Sequence, residues 1–246
     1  MSAKLYGLAL SHPSHAAREM LKLKGIDHEL VTFPVGAHPL MLRLAGFRGR
    51  TVPALKIDGR RVQGSLAISR ALEEIQPDPP LFPPDRRDAV EDAERWGERE
   101  LQPLPRRFLR WGAAHRQDLR RWLAEGARMP APDVVATLSV PAARYVAYLS
   151  RADDDYTREG IARLPEVLDR VDELIAEGTI GRADEPTAAD FQIASTVAVL
   201  RNFVDVRDVV DGRPGAELAA RLFARRPVDI PPFLPGEWLA PLRQPA

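Results

Sequence analysis

The 246-residue chain contains no cysteine. That absence excludes a disulfide framework, a thiolate metal site and a protein-borne thiol nucleophile, and with them a thiol–disulfide oxidoreductase. Net charge is absent as well, with 35 basic against 35 acidic residues and no basic stripe set apart from the acids. The long-range field that draws a protein to nucleic acid or to an anionic membrane surface is therefore missing. No apolar run approaches the roughly 18 residues that would span a bilayer. The opening MSAKLYGLALSH lacks the charged start and cleavage site of a secretory signal, so a cytoplasmic location is expected. Lysine is scarce, supplying four of the 35 basic residues. What remains is a chain 45% hydrophobic and 28% charged, the balance of a globular protein with a real core, long enough for one large domain or two small ones.

The most informative segment is Thr51–Glu74, TVPALKIDGRRVQGSLAISRALEE. Val52, Ala54, Leu55 and Ile57 read as a buried strand. Pro53 cannot donate to a strand ladder, so it belongs at a strand start, on an edge or in a special turn. Asp58-Gly59 is a hairpin signal, and Arg60–Val62 fits a short returning strand. Ser65 is a candidate helix N-cap, with Leu66, Ile68, Ala71, Leu72 and Ile75 as the apolar face behind it. A helix start beside a hairpin presents free N–H groups to a small anion such as a carboxylate.

Val-Pro-x-Leu, an Asp-Gly hairpin and Gly-Ser-Leu-Ala-Ile, in that order, resemble the glutathione-binding half of the glutathione transferase superfamily. The resemblance implies a cis Pro53, main-chain pairing of Val52 with the cysteinyl part of glutathione, and a γ-glutamyl carboxylate held at Ser65. The family carries Glu or Gln immediately before that serine. This chain has Gly64 there, with Gln63 one place earlier, and Gln63 or Gly64 would complete that end of the site.

Around this segment, residues 1–78 alternate short strands with helices. Leu5, Tyr6, Leu8 and Leu10 suggest strand one, His15–Lys24 a helix ended by Gly25, Asp27–Val35 strand two, and Leu40–Leu44 a short helix. A βαβ unit, a hairpin and a helix fit a thioredoxin-like α/β layer. The proline-rich stretch that runs through residues 79–84 reads as a stiff linker. Residues 85–226 show only helical periodicity, with candidate helices Arg86–Gln102, Leu104–Glu125, Asp133–Ser150, Arg158–Glu177, Ala188–Phe203 and Gly215–Arg225; Pro103 and Pro105 should break or kink the first pair. The fold class expected is thus a thioredoxin-like domain followed by an all-α domain. Residues 227–246 form a proline-rich tail expected to pack on the helical domain through Ile230, Phe233, Leu234 and Trp238. Thr187-Ala188-Ala189-Asp190 reads as a capping box at the start of a buried helix, and it resembles the box before the core helix of the transferases' helical domain.

Chemistry is expected at Ser11-His12-Pro13-Ser14, where strand one feeds a helix and anions collect. Arg18–Asp27 resembles the first helix of the zeta and omega transferase classes, and counting back from it puts Ser11 where zeta has its serine and omega its cysteine. The resemblance implies that Ser11 donates to the sulfur of glutathione and favours the thiolate, with Ser14 as a supporting partner. A free thiol has a pKa near about 8.5, so such stabilisation is needed at neutral pH. The competing reading makes Ser11 and Ser14 plain helix caps. His12 and His15 read as surface histidines and not a metal pair, since no carboxylate or cysteine accompanies them. Tyr6, inside the strand, reads as core. Arg106-Arg107, Arg120-Arg121 and Arg225-Arg226 read as solvated faces, and Asp153–Asp155 as a solvated loop or helix start.

The function expected is a transferase joining glutathione to a small electrophile, without metal or redox cofactor, and the resemblance implies a homodimer. A non-catalytic binding protein on the same fold, or a transferase using another low-molecular-weight thiol, is the alternative.

Overall fold

In the computed structural model, residues 2–8, 11–33, 37–223 and 228–243 are described. Leu10, Val35 and Arg225, which end three of the expected elements, and the Arg225-Arg226 pair lie outside them.

Four strands, β1 (Ala3–Gly7), β2 (His28–Thr32), β3 (Ala54–Ile57) and β4 (Arg60–Gln63), form one sheet in the order β2-β1-β3-β4. β1 and β2 are parallel, joined by α1 (His12–Leu23), whereas β3 runs antiparallel to both β1 and β4. The parallel pair needs a helical crossover, while the antiparallel pair closes through two residues. Those two are Asp58 and Gly59, both at positive φ (44° and 84°), as a primed hairpin turn demands. α2 (His38–Leu44) and α3 (Ser65–Ile75) complete this layer. Side chains alternate across the sheet. Leu5, Leu55 and Ile57 pack with Met20 and Leu21 of α1 and Ile68 and Leu72 of α3. On the opposite face Tyr6 joins Phe33, Leu42, Phe47 and Ala54, its ring stacked at 5.7 Å on Phe33. Tyr6 is core, as its place in the strand implied.

The rest is helical. α4 (Arg87–Trp96) passes through a π-helical turn at Gly97–Leu101 into α5 (Pro103–His115), so Pro103 and Pro105 occupy a helix start where a missing N–H costs nothing. Proline also divides two of the expected long helices. Pro141 opens α8 (Val140–Leu149) after α7 (Pro132–Leu138), and Pro165 opens α10 (Leu164–Ala176) after α9 (Asp154–Ala162). α6 (Gln117–Gly126) follows α5 after one extended residue, Arg116. The Asp153–Asp155 cluster is a helix start, with Asp153 accepting from the Tyr156 N–H and Asp154 from the Trp111 indole.

α11 (Ala188–Leu200) is buried nearly all round, and its capping box is formed: Thr187 accepts from the Asp190 N–H, and Asp190 accepts from the Thr187 N–H at 2.8 Å. α11 packs on α1, which lies between it and the sheet, and on α4 and α13 (Pro214–Leu222); the short α12 (Arg207–Val210) follows α11. Past residue 228 the chain lies across the helical core. Ile230, Phe233 and Leu234 are buried, and Trp238 of α14 (Gly236–Leu239) packs on Trp111 with ring centres 4.9 Å apart.

Lys24, at the end of α1, has a fully buried side chain. Its Nζ donates to Glu73 at 2.6 Å and to the carbonyls of Pro77 and Pro79, while Glu73 also accepts the N–H groups of Leu81 and Phe82. One ion pair thereby fixes the ends of α1 and α3 to the proline-rich connection.

Candidate active site

Sheet register assembles the site. β1 and β3 pair with Tyr6 opposite Ala54, so the chain leaving β1 runs beside the chain entering β3. Leu8 and Val52 accordingly pack on the same small cluster. Gly7 permits a close approach, since a Cβ there would lie 2.9 Å from Cβ of Ser14. The chain then turns through the Ser11 N–H, which donates to the Leu8 carbonyl, and α1 begins.

Ser11 is the N-cap residue of α1, but its hydroxyl makes no capping bond. It accepts instead from the Ser14 hydroxyl at 2.9 Å. Ser14 is buried and Ser11 half-buried. No acid occupies the first turn of α1. A hydroxyl that accepts through its lone pair keeps its own proton for another acceptor, and the helix start adds positive potential there.

His12 corrects the reading of this loop as a pair of surface histidines. It is 3% exposed, and its Nε2 has no hydrogen-bond partner. Burial holds it well below the ordinary imidazole value of 6.5, and the positive charges of Arg106, His15 and Arg110 push it further down. Arg106 likewise is half-buried and not a fully solvated side chain. Burial, aided by Arg110, lowers its guanidinium to about 10, while Glu98 acts in the opposite sense.

The second half of the site is built by the hairpin. The Val52-Pro53 peptide is cis, and the Pro53 carbonyl accepts the Gly64 N–H at 2.9 Å. Val52 thus stands next to the start of α3. No hydrogen bond among the described residues uses the Val52 N–H or carbonyl. The N-cap of α3 is Gly64 and not Ser65, which is the first helical residue. Gly64 adopts φ 95° and ψ 145°, a conformation open to glycine and strained for other residues, although a Cβ would meet nothing within 4 Å. Ser65 is buried, and α3 has no acid in its first turn. Its first amides therefore face a site without a built-in counter-charge.

Gln63 is turned to another task. Its Oε1 accepts the Gly49 N–H at 2.9 Å and its Nε2 donates to the Thr51 carbonyl at 2.7 Å. It staples the loop before Val52 to β4, and both ends of its amide are engaged. The structure thus brings Val52, Pro53, Gly64 and Ser65 together, sets Ser11 and Ser14 across the β1–β3 pairing from them, and spends the Gln63 side chain on the scaffold. Sequence reasoning missed the burial of His12 and the half-burial of Arg106 here, because only the packing of separate elements produces them. Among the described residues, no group of three or more His, Asp or Glu side chains could hold a metal ion.

Residues 5–80 match the glutathione S-transferase N-terminal domain family. The maleylacetoacetate isomerase of Mus musculus is 40% identical over 85 residues, covering 33% of this chain and 39% of that protein, and its Rattus norvegicus counterpart gives the same figures. The match thus spans about two fifths of these relatives. Over nearly the whole chain the fold is that of a glutathione S-transferase from Rhodospirillum rubrum F11 (TM-score 0.58, 22% identity, 92% of this chain and 90% of that one). It is also that of a maleylacetoacetate isomerase from Anaeromyxobacter dehalogenans 2CP-1, solved with dicarboxyethyl glutathione and citrate in the active site (TM-score 0.53, 22% identity, 99% and 96%). The first 80 residues thus match the glutathione S-transferase N-terminal domain family, and the chain as a whole shares the fold of glutathione transferases of known structure.

Proposed function

We propose that the protein binds glutathione and transfers it to an electrophilic small molecule. The observation that carries this reading is the unpaired main chain of Val52 between two helix starts free of acids, those of α1 and α3. An extended tripeptide thiol matches that arrangement. Its cysteinyl amide and carbonyl pair with Val52, as a peptide adds to a free strand edge. Its γ-glutamyl carboxylate meets the first amides of α3 and the Ser65 hydroxyl, where charge-assisted hydrogen bonds are strongest.

The sulfur then lies at Ser11. The Ser11 hydroxyl, itself accepting from Ser14, donates to the sulfur and favours the thiolate. The thiol proton leaves to solvent and a sulfur–carbon bond forms. The electrophile expels a leaving group or, where it is an activated double bond, takes up a proton on the adjacent carbon. Binding both reactants in one cleft supplies the orientation such a bimolecular step needs.

Calorimetric titration with glutathione tests the reading. Saturable binding at millimolar affinity or better, followed by thiol-dependent turnover of an electrophile, is the expected result. A second reading rests on Gly64 and on the engaged Gln63, which leave the γ-glutamyl end without the Glu or Gln side chain of the family pattern. A different low-molecular-weight thiol, or a binding role without turnover, follows if glutathione fails to bind.

A further inference from the structure

α10 shows how this fold treats an amphipathic helix. Leu164, Val167, Leu168, Val171 and Leu174 are buried, while Asp169, Arg170 and Glu173 stay in water. α7 and α8 reverse that pattern. The buried residue of α7 is Ala136 and that of α8 is Ala147. The large apolar side chains stand outside. Val134 and Leu138 of α7 are 55% and 74% exposed, and Tyr145, Tyr148 and Leu149 of α8 are 62%, 81% and 63% exposed. At spacings of three and four residues, each set forms one stripe along its helix. α7 packs on α6 and α8 on α5, so small residues seat both helices and the bulky ones are left for something else.

Monomeric proteins rarely leave more than a few hundred Å² of contiguous apolar surface in water. With Met129 and Val146, which are also exposed, the two stripes offer on the order of 700 Å², given the roughly 150–250 Å² that an aromatic side chain buries. A stable pair of proteins needs about 800 Å² from each partner. Nothing in this chain covers the face. Residues 228–243 lie across the helical core instead, and the segments outside the described residues are at most four residues long.

Charge narrows the choice of occupant. Residues 129–149 contain two charged side chains, Asp133 and Arg144, one of each sign. An anionic bilayer or a nucleic acid is met by clustered basic residues, and this face has a single one. A second copy of the chain fits better. Both the face and the whole chain are neutral, so two copies meet without repulsion. Arg144 has no ion pair among the described residues, and Asp133, although 3.3 Å from Arg121, remains largely exposed. About a two-fold axis every contact occurs twice, so one Arg144 faces Asp133 of the partner subunit at each end.

We propose that the α7–α8 face is a contact between two copies of this chain, related by a two-fold axis and closed by Arg144 against Asp133 of the partner subunit. It lies wholly in the helical half, beyond the N-terminal family match that ends at residue 80. A pairing through the sheet layer would be a second and separate contact.

Sedimentation velocity on the full chain tests the contact. An interface of this size should give a dissociation constant of about 1 μM or tighter. Leu138→Glu combined with Tyr148→Glu should remove one association step and weaken it at least about thirtyfold, as loss of central apolar anchors does. Both side chains are mostly exposed, so the melting temperature of the variant should stay close to that of the wild type. Arg144→Asp should weaken association about tenfold, and adding Asp133→Arg should restore it, a rescue that requires the two faces to meet. A wild-type protein that is monomeric at about 50 μM, far above that constant, overturns the inference and leaves the face to a partner of another kind. Unchanged assembly in the Leu138→Glu, Tyr148→Glu variant overturns it as well, because the copies then pair elsewhere. Should that variant fail to fold, Arg144→Asp and its rescue decide the question alone.

Discussion

The Ser14 hydroxyl donates to Ser11 Oγ at 2.9 Å, one turn into α1, and so sets the direction in which the Ser11 proton can point. A hydrogen bond to a charged group is worth about 1.5–3 kcal/mol. Ser11→Ala is therefore expected to raise the pKa of the bound thiol by about 1–2. Ser14→Ala should do less, since Ser11 keeps its own proton and loses only its orientation. The pH profile of turnover, together with the ultraviolet absorbance of bound thiolate, reads both effects. An unchanged profile in Ser11→Ala would return Ser11 to the role of an ordinary helix start.

Gly64 sets a conflict between stability and binding. A glutamine there would restore the family's side chain, and there is room for its Cβ, but the backbone at φ 95° penalises it. Gly64→Gln is expected to cost about 1–3 kcal/mol of stability while tightening glutathione binding. For a chain of this size each kcal/mol lowers the melting temperature by about 2–4 °C. Thermal unfolding and calorimetry on one sample measure the two sides, and a melting temperature equal to the wild type would contradict the strain.

The Lys24–Glu73 pair joins α1, α3 and the proline-rich connection with the ammonium fully buried. Lys24→Met strands a carboxylate that holds the Leu81 and Phe82 amides. Breaking one side of a buried pair costs about 3–5 kcal/mol. Replacing both, as Lys24→Met with Glu73→Leu, should recover part of the loss, and urea midpoints for the single and double variants would separate charge burial from packing.

Acid should weaken the fold through His12. Its folded pKa is depressed by burial and by Arg106, His15 and Arg110, against 6.5 when unfolded. Between the depressed value and 6.5 the unfolded chain binds a proton that the folded chain refuses. Stability is complete above pH 6.5 and is lost as pH falls through that window, at up to about 1.4 kcal/mol per pH unit for one proton. His38, lowered by burial and Arg110, adds in the same sense. His12→Asn should flatten this slope in urea midpoints measured across the window. An equal slope in the variant would place the acid sensitivity elsewhere.

How far the sequence could be read follows the range of the interactions. The Asp58-Gly59 hairpin and the Thr187–Asp190 capping box were legible because neighbours in the chain determine them, whereas the cis peptide at Val52-Pro53 was implied by the family resemblance alone. Helix ends were less so: Pro141 and Pro165 split helices that periodicity ran together, since an apolar stripe continues across a proline that starts a new helix. The N-cap of α3 moved from Ser65 to Gly64 because the Pro53 carbonyl takes the Gly64 amide and sets its backbone.

The sequence by itself determined the layer of four strands and its helices and the helical remainder. It did so through turn chemistry, patterning and capping, all of which act over a few residues. Tertiary structure alone decided that Gln63 serves Gly49 and Thr51, that His12 is sealed from water and that Arg106 is half-buried. Those outcomes depend on groups distant in the chain, and burial is a property of how elements pack, which no local pattern encodes.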